Sequence, residues 1–226
     1  MRVGIFGGTF DPVHIGHLVA AVNVRHALGL DRVMMVPAHD PWQKASREIT
    51  PAEDRYAVLA ACVAGIEGLV ASRIEIDRGG VSYTVDTVLQ VSDMYPGVEV
   101  YLVVGEDVAR NLVTWDRSDE LRSMVSLVVV NRPLLASDRE SQSGPTLKGA
   151  LKASGRGAGD RGGELVQSDV AVVPPGWSGV SVEIPNLDIS STDLRARVAE
   201  GRPLEFLVPE GGIQQIRARG LYASNR

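Results

Sequence analysis

Residues 3–17 read VGIFGGTFDPVHIGH. Val3–Phe6 is a short apolar run ending in glycines, the pattern of a buried β-strand. Ile15, Leu18, Val19 and Val22 then recur at helical spacing, which predicts a helix over 15–28 stopped by Gly29. Gly7 and Gly8 at the strand end allow a tight turn and close approach of a ligand. Ligands of open α/β sheets bind at the carboxyl ends of strands, and a helix beginning near His14 turns its unsatisfied N–H groups and positive dipole end that way. An anion gains about 0.3–1 kcal/mol there. His14 and His17, three residues apart, share one face of the first turn. A charge-assisted bond from each ring to phosphate is worth about 1.5–3 kcal/mol.

Working outward, the alternation continues. Arg32–Val36 is a second strand ended by Pro37, and Thr50-Pro51-Ala52-Glu53 predicts a helix start with Thr50 as N-cap and Glu53 completing a capping box. Further strands are expected at 70–76, 98–104 and 125–130, with helices near 84–94 and 117–123 between them. Continuous β-branched runs such as VSLVVV fit strands covered on both faces, so the fold class is α/β with a doubly wound, Rossmann-like parallel sheet. Residues 137–163, rich in glycine and serine and without aromatics, read as a mobile surface insertion in a single domain of 1–226. Apolar runs return at 170–173 and 180–184, a helix capped by Ser190 or Ser191 covers about 192–200, and a last one spans about 209–219.

Composition bounds the function. A net charge of −5 and pI near 5.4 argue against standing contact with nucleic acid, which calls for a basic face. One cysteine, Cys62, allows no intramolecular disulfide and sits in an alanine-rich stretch as a packing residue. With no signal peptide and no run of about 20 apolar residues, the expectation is a soluble protein of the reducing cytoplasm, without membrane partners.

Rival readings of the first loop fail on spacing. No GK[ST] follows for a Walker A loop, GIFGGT lacks the GxGxxG spacing, and an HxxH pair without a third ligand is a poor zinc site. The loop resembles the (H/T)xGH signature of the nucleotidyltransferase superfamily, and the fuller GGTFDPVHIGH resembles the bacterial nicotinate-mononucleotide adenylyltransferase family. Phosphopantetheine adenylyltransferases usually carry threonine where His14 stands, and a class I aminoacyl-tRNA synthetase would be longer and carry a KMSKS-like loop. Ile189-Ser190-Ser191-Thr192-Asp193-Leu194-Arg195 matches the family's ISSTxxR, Ser82–Thr87 its SYTxDT, and Gly105-Glu106-Asp107 its GxD. Hydroxyls and N–H groups at a helix start, with Arg195 one turn on, also suit an anion on physical grounds.

The resemblance implies transfer of AMP from ATP to nicotinate mononucleotide, with Mg²⁺ carried on ATP. It implies His14, His17, Ser191 and Arg195 as the catalytic set on the ATP phosphates. ATP would also meet Gly7, Gly8, Thr9, Phe10, Gly16, Gly105, Asp107, Ile189 and Ser190. The mononucleotide would meet Gly8, Thr9, Thr84, Asp107 and Trp115, with Trp115 stacked on the pyridine and Lys44 near the phosphate. The Arg132-Pro133 pair resembles the family's RP, but Leu134-Leu135 and the insertion follow it. Nicotinamide mononucleotide, another phosphorylated acceptor, or a nucleotide-binding regulator without chemistry are the alternatives, and a homo-oligomer is left open.

Overall fold

The apolar run that opens the chain is strand β1, Arg2–Gly8, and it lies at the centre of the sheet. The computed structural model describes residues 1–41, 49–131 and 173–224. The predicted insertion at 137–163, the run at 170–172, Lys44 and Arg132-Pro133 lie outside these residues.

Strand β2 is Arg32–Pro37, β3 Leu69–Ala71, β4 Glu99–Gly105, β5 Ser126–Asn131 and β6 Gly179–Glu183. Their order is β3-β2-β1-β4-β5-β6, and every pairing is parallel. The order reverses between β1 and β4, so a crevice opens at their carboxyl ends, where Gly8 and Gly105 stand.

Strand residues alternate between two cores, as the pleat requires. Phe6, Val128 and Val130 face one core, while Val3, Ile5, Leu127 and Val129 face the other. Helices α1 (Ile15–Leu28) and α2 (Ala52–Val63) cover the first face through Leu18 and Leu59. Helices α3 (Ile74–Arg78), α4 (Thr84–Met94), α5 (Glu106–Ala109) and α6 (Ser118–Met124) follow, with Ile74, Val88, Ala109 and Leu121 in the second core. Helices α7 (Ser191–Ala199) and α8 (Glu210–Ala218) return to the first face through Leu194 and Ile213. Each fully buried leucine, isoleucine or valine side chain of this kind contributes about 1.5–3 kcal/mol.

Several expectations are corrected. The strand expected at 70–76 is only Leu69–Ala71, followed by α3. Ile74 and Ile76 alternate as in a strand, but Glu75 is turned inward beside Ile74, and Gly79 ends the helix. The cap of α2 is Pro51 without a side-chain bond, not Thr50, whose side chain bonds Tyr222 instead, while Glu53 pairs with Arg73 in a two-pronged contact at 2.7 Å. The buried residues of α1 are Leu18, Ala20, Ala21 and Val24, whereas Val22 is exposed. Gly29 does end α1, at φ 56 in the left-handed region that glycine tolerates. Cys62 packs in the first core, and burial pushes its thiol up to about 12.

Candidate functional site

The crevice at the switch point is a cavity of about 540 Å³. Its walls include Gly7, Gly8, Thr9, Phe10, His14, Gly16 and His17 from the first loop, and Ile189, Ser190 and Ser191 from the start of α7. Gly105, Thr84 and Trp115 line it as well. The structure thus brings together thirteen sequence-assigned residues in one cavity. Asp107 is exposed on α5, and the Arg195 side chain is partly exposed beside the first loop; neither is among the lining residues.

The chain turns into the cavity at Phe10 (φ 49) and through a cis Asp11-Pro12 bond, while Gly7 and Gly8 stay in strand β1 without positive φ. Phe10 is buried and supports the site from below. Its ring meets Phe6 edge-on at 5.8 Å and His17 edge-on at 5.1 Å between centroids. His14 is the N-cap of α1 and faces His17 with ring centroids 3.8 Å apart. The His14 backbone N–H donates to His17 Nδ1 at 3.3 Å. That bond makes Nδ1 an acceptor and places the proton of the neutral His17 ring on Nε2. Gly16 makes room for this stack, because a Cβ there would stand 3.1 Å from the His14 ring.

The start of α1 is less open than its sequence implies. Ile15 N–H donates to the Leu207 carbonyl at 2.9 Å, so part of the first turn is capped from within the protein.

The serine-rich helix start is bonded to the first loop across 179 residues of chain: Ser191 Oγ donates to the Pro12 carbonyl at 2.8 Å. Arg195 Nη1 donates to the Asp11 carbonyl at 2.6 Å and Nη2 to Thr192 Oγ1 at 3.2 Å. Ser190 caps the helix, its Oγ accepting from Asp193 N–H at 3.1 Å.

Three residues that the sequence reading did not single out hold this frame. Arg55 is 1% exposed, and its guanidinium donates to the carbonyls of Thr50 (2.7 Å), Thr9 (2.7 Å), Ala38 (2.6 Å) and His39 (3.3 Å). Burial pulls its pKa below the ordinary arginine value, and nearby Asp11 pushes it back up. A signal existed: Arg55, Val58, Leu59 and Cys62 are at one helical spacing, so a cation sits on a core stripe. Asp11, 2% exposed, accepts from Tyr222 OH at 2.9 Å. Burial and the neighbouring Asp11 carboxylate raise the Tyr222 phenol above its usual value. Replacing Tyr222 with phenylalanine is expected to lower unfolding free energy by about 1–3 kcal/mol, since the buried Asp11 carboxylate loses one of its partners. Urea unfolding checks this, and a change below about 0.5 kcal/mol would contradict it.

At the far end, Thr84 opens α4 and Trp115 follows a 3₁₀ turn at Leu112–Thr114. Glu75 and Thr87 line the wall between, Thr87 Oγ1 donating to Glu75 Oε1 at 2.7 Å. His39 ties the β2 end to the same region, its N–H donating to Ser82 Oγ at 2.9 Å. Arg117 holds a left-handed backbone (φ 47), a conformation costing a non-glycine residue about 1–2 kcal/mol.

The family model described as cytidylyltransferase-like matches residues 5–197. The chain belongs to this family. Within it, the chain is 39% identical to a protein named probable nicotinate-nucleotide adenylyltransferase of Corynebacterium kroppenstedtii, over 98% of this chain and 90% of that one. It is 41% identical to the protein of the same name from Streptomyces coelicolor, over 96% of this chain and 98% of that one. A solved structure titled Plasmodium falciparum nicotinic acid mononucleotide adenylyltransferase complexed with NaAD shares the fold at a TM-score of 0.68 and 14% identity, covering 98% of this chain and 97% of that chain. No helix among the described residues of this cytidylyltransferase-like protein is long and apolar enough to cross a membrane.

Proposed function

We propose that the protein transfers AMP from ATP to nicotinate mononucleotide, forming nicotinate adenine dinucleotide and pyrophosphate in NAD biosynthesis. The observation that carries this reading is the joining of the two phosphate-binding motifs at one cavity mouth, Ser191 to Pro12 and Arg195 to Asp11. The far end of the same cavity offers Thr84 and the indole of Trp115. Relatives 39% and 41% identical over nearly the whole chain carry the corresponding name.

In this reading a mononucleotide phosphate oxygen attacks the α-phosphorus of ATP in line, and the bond from that phosphorus to the leaving pyrophosphate oxygen breaks. The nucleophile is already anionic, so no general base is required. His17 Nε2–H and His14 hold the ATP phosphates and stabilise charge on the transferring group and pyrophosphate, and Arg195, beside the first loop, adds positive charge next to them. Gly7, Gly8, Thr9, Phe10, Gly16, Gly105, Ile189, Ser190 and Ser191 form the nucleotide-side wall. Asp107, outside the cavity wall, serves at its rim, and Lys44 is assigned to the mononucleotide phosphate on sequence alone.

Mg²⁺ would arrive with ATP and would offset phosphate charge there. Among the described residues no group of three His, Cys, Asp or Glu side chains is gathered to hold an ion.

Pyrophosphate release tests the assignment directly. With ATP and Mg²⁺, nicotinate mononucleotide is expected to exceed nicotinamide mononucleotide in kcat/KM by at least about tenfold, since the two differ by a charge and by donors. Equal or reversed rates would contradict the acceptor, and no release with either would contradict transfer itself.

A further inference from the structure

We propose that Asp86 and Arg117 form a latch that positions Trp115 against the mononucleotide, an inference that rests on the acceptor end assigned above. Asp86 is the third residue of α4, two residues after Thr84 in the same first turn of the helix. Arg117 is two residues beyond Trp115, and its guanidinium pairs with the Asp86 carboxylate. The same guanidinium reaches Asp116 at 3.1 Å and Glu120 at 3.8 Å. One cation therefore ties the Trp115 loop to the helix that presents Thr84.

Two local costs show that the loop conformation is imposed rather than relaxed. Arg117 is left-handed without being glycine, and such a backbone persists only where its surroundings over-determine it. Trp115 Nε1–H is buried and hydrogen-bonded to nothing among the described residues. Both costs fall on a three-residue stretch whose indole lines the cavity opposite Thr84. Beyond it the chain is closed on each side: Leu121 N–H donates to the Arg117 carbonyl at 2.9 Å, and Ser118 Oγ to the Leu112 carbonyl at 2.9 Å. The charges themselves are partly exposed, 39% for Arg117 and 33% for Asp86, and a lone pair of that kind adds little stability. Its effect is geometric: it sets where the indole stands relative to Thr84. Asp86 and Arg117 are thus positioning residues, acting through Trp115.

A double-substitution cycle tests the latch. Asp86→Asn and Arg117→Gln are each expected to raise KM for nicotinate mononucleotide about tenfold, with kcat and KM for ATP within about threefold of the parent. The double variant should be no worse than either single one, because both remove the same tie. Arg117→Lys, which keeps the charge, should restore most of the affinity. In a Trp42→Phe/Trp177→Phe background Trp115 is the sole tryptophan of the three in the chain. There, each single variant should raise acrylamide quenching about twofold, as a released indole meets solvent. Additive effects, or equal losses in both KM values with a lowered Tm, would overturn the latch; so would unchanged quenching. Quenching needs no substrate, so a parent protein inactive on nicotinate mononucleotide defeats the acceptor assignment while the quenching cycle still decides the latch.

Discussion

Replacing His17 with alanine is expected to lower kcat by about 10²–10³, the loss that follows removal of one preorganised donor from a developing charge. The ring is fixed before any ligand arrives. His14 stacks on it at 3.8 Å, the Phe10 edge supports it at 5.1 Å, and the His14 N–H occupies Nδ1. A donor held this way needs no reorganisation as charge builds on the transferring phosphoryl group, so its contribution falls on kcat more than on KM. His17→Asn, which keeps an N–H but not its placement, should fall between alanine and the parent. Steady-state rates at saturating ATP and mononucleotide check the effect, with circular dichroism to establish that the variant is folded. A folded alanine variant within about threefold of the parent would remove His17 from the chemistry.

Arg55 carries the second large effect, this time on stability. Arg55→Met is expected to cost about 3–5 kcal/mol, as breaking a buried charged network does. Methionine fills much of the volume but leaves the carbonyls of Thr9, Thr50, Ala38 and His39 short of a donor, and it removes a cation near Asp11, with Arg195 Nη1 remaining at 4.0 Å. Since Thr9 belongs to the first loop and Ala38 and His39 to the end of β2, the damage should spread into the cavity wall. Arg55→Lys keeps the charge but cannot fork to several carbonyls, and it should retain only part of the stability. Urea unfolding at constant slope gives the difference, and a loss below about 1 kcal/mol would contradict the bracing role.

What could be read from the sequence was local. Helix 84–94 was legible to its end residues, and β1, β4 and β5 to within a residue or two, because buried parallel strands are written as continuous apolar runs. The 70–76 segment misled because Ile74 and Ile76 satisfy a period of two while the chain follows a short helix. Thr50 misled because tertiary partners take both ends of the local capping box, Tyr222 bonding the Thr50 side chain and Arg73 pairing with Glu53. The site divides the same way. His14, His17, Ser190 and Ser191 lie in contiguous motifs whose chemistry is visible in the string. Tyr222 reaches Asp11 across 211 residues, and Arg117 reaches Asp86 across 31, and no local pattern marks either partner. Arg55 stood between these cases, since an arginine on a core stripe is a visible anomaly whose partners only the fold supplies.

The central claim, direct attack of the mononucleotide phosphate on the α-phosphorus of ATP within one cavity, is open to a single labelling measurement. Nicotinate mononucleotide carrying oxygen-18 in its phosphate is incubated with the protein, unlabelled ATP and Mg²⁺, and the products are separated and weighed by mass spectrometry. The account predicts that all of the label stays in the dinucleotide, one atom of it bridging the two phosphorus atoms, and that pyrophosphate contains none. Label in the pyrophosphate, or no dinucleotide at all, would contradict it.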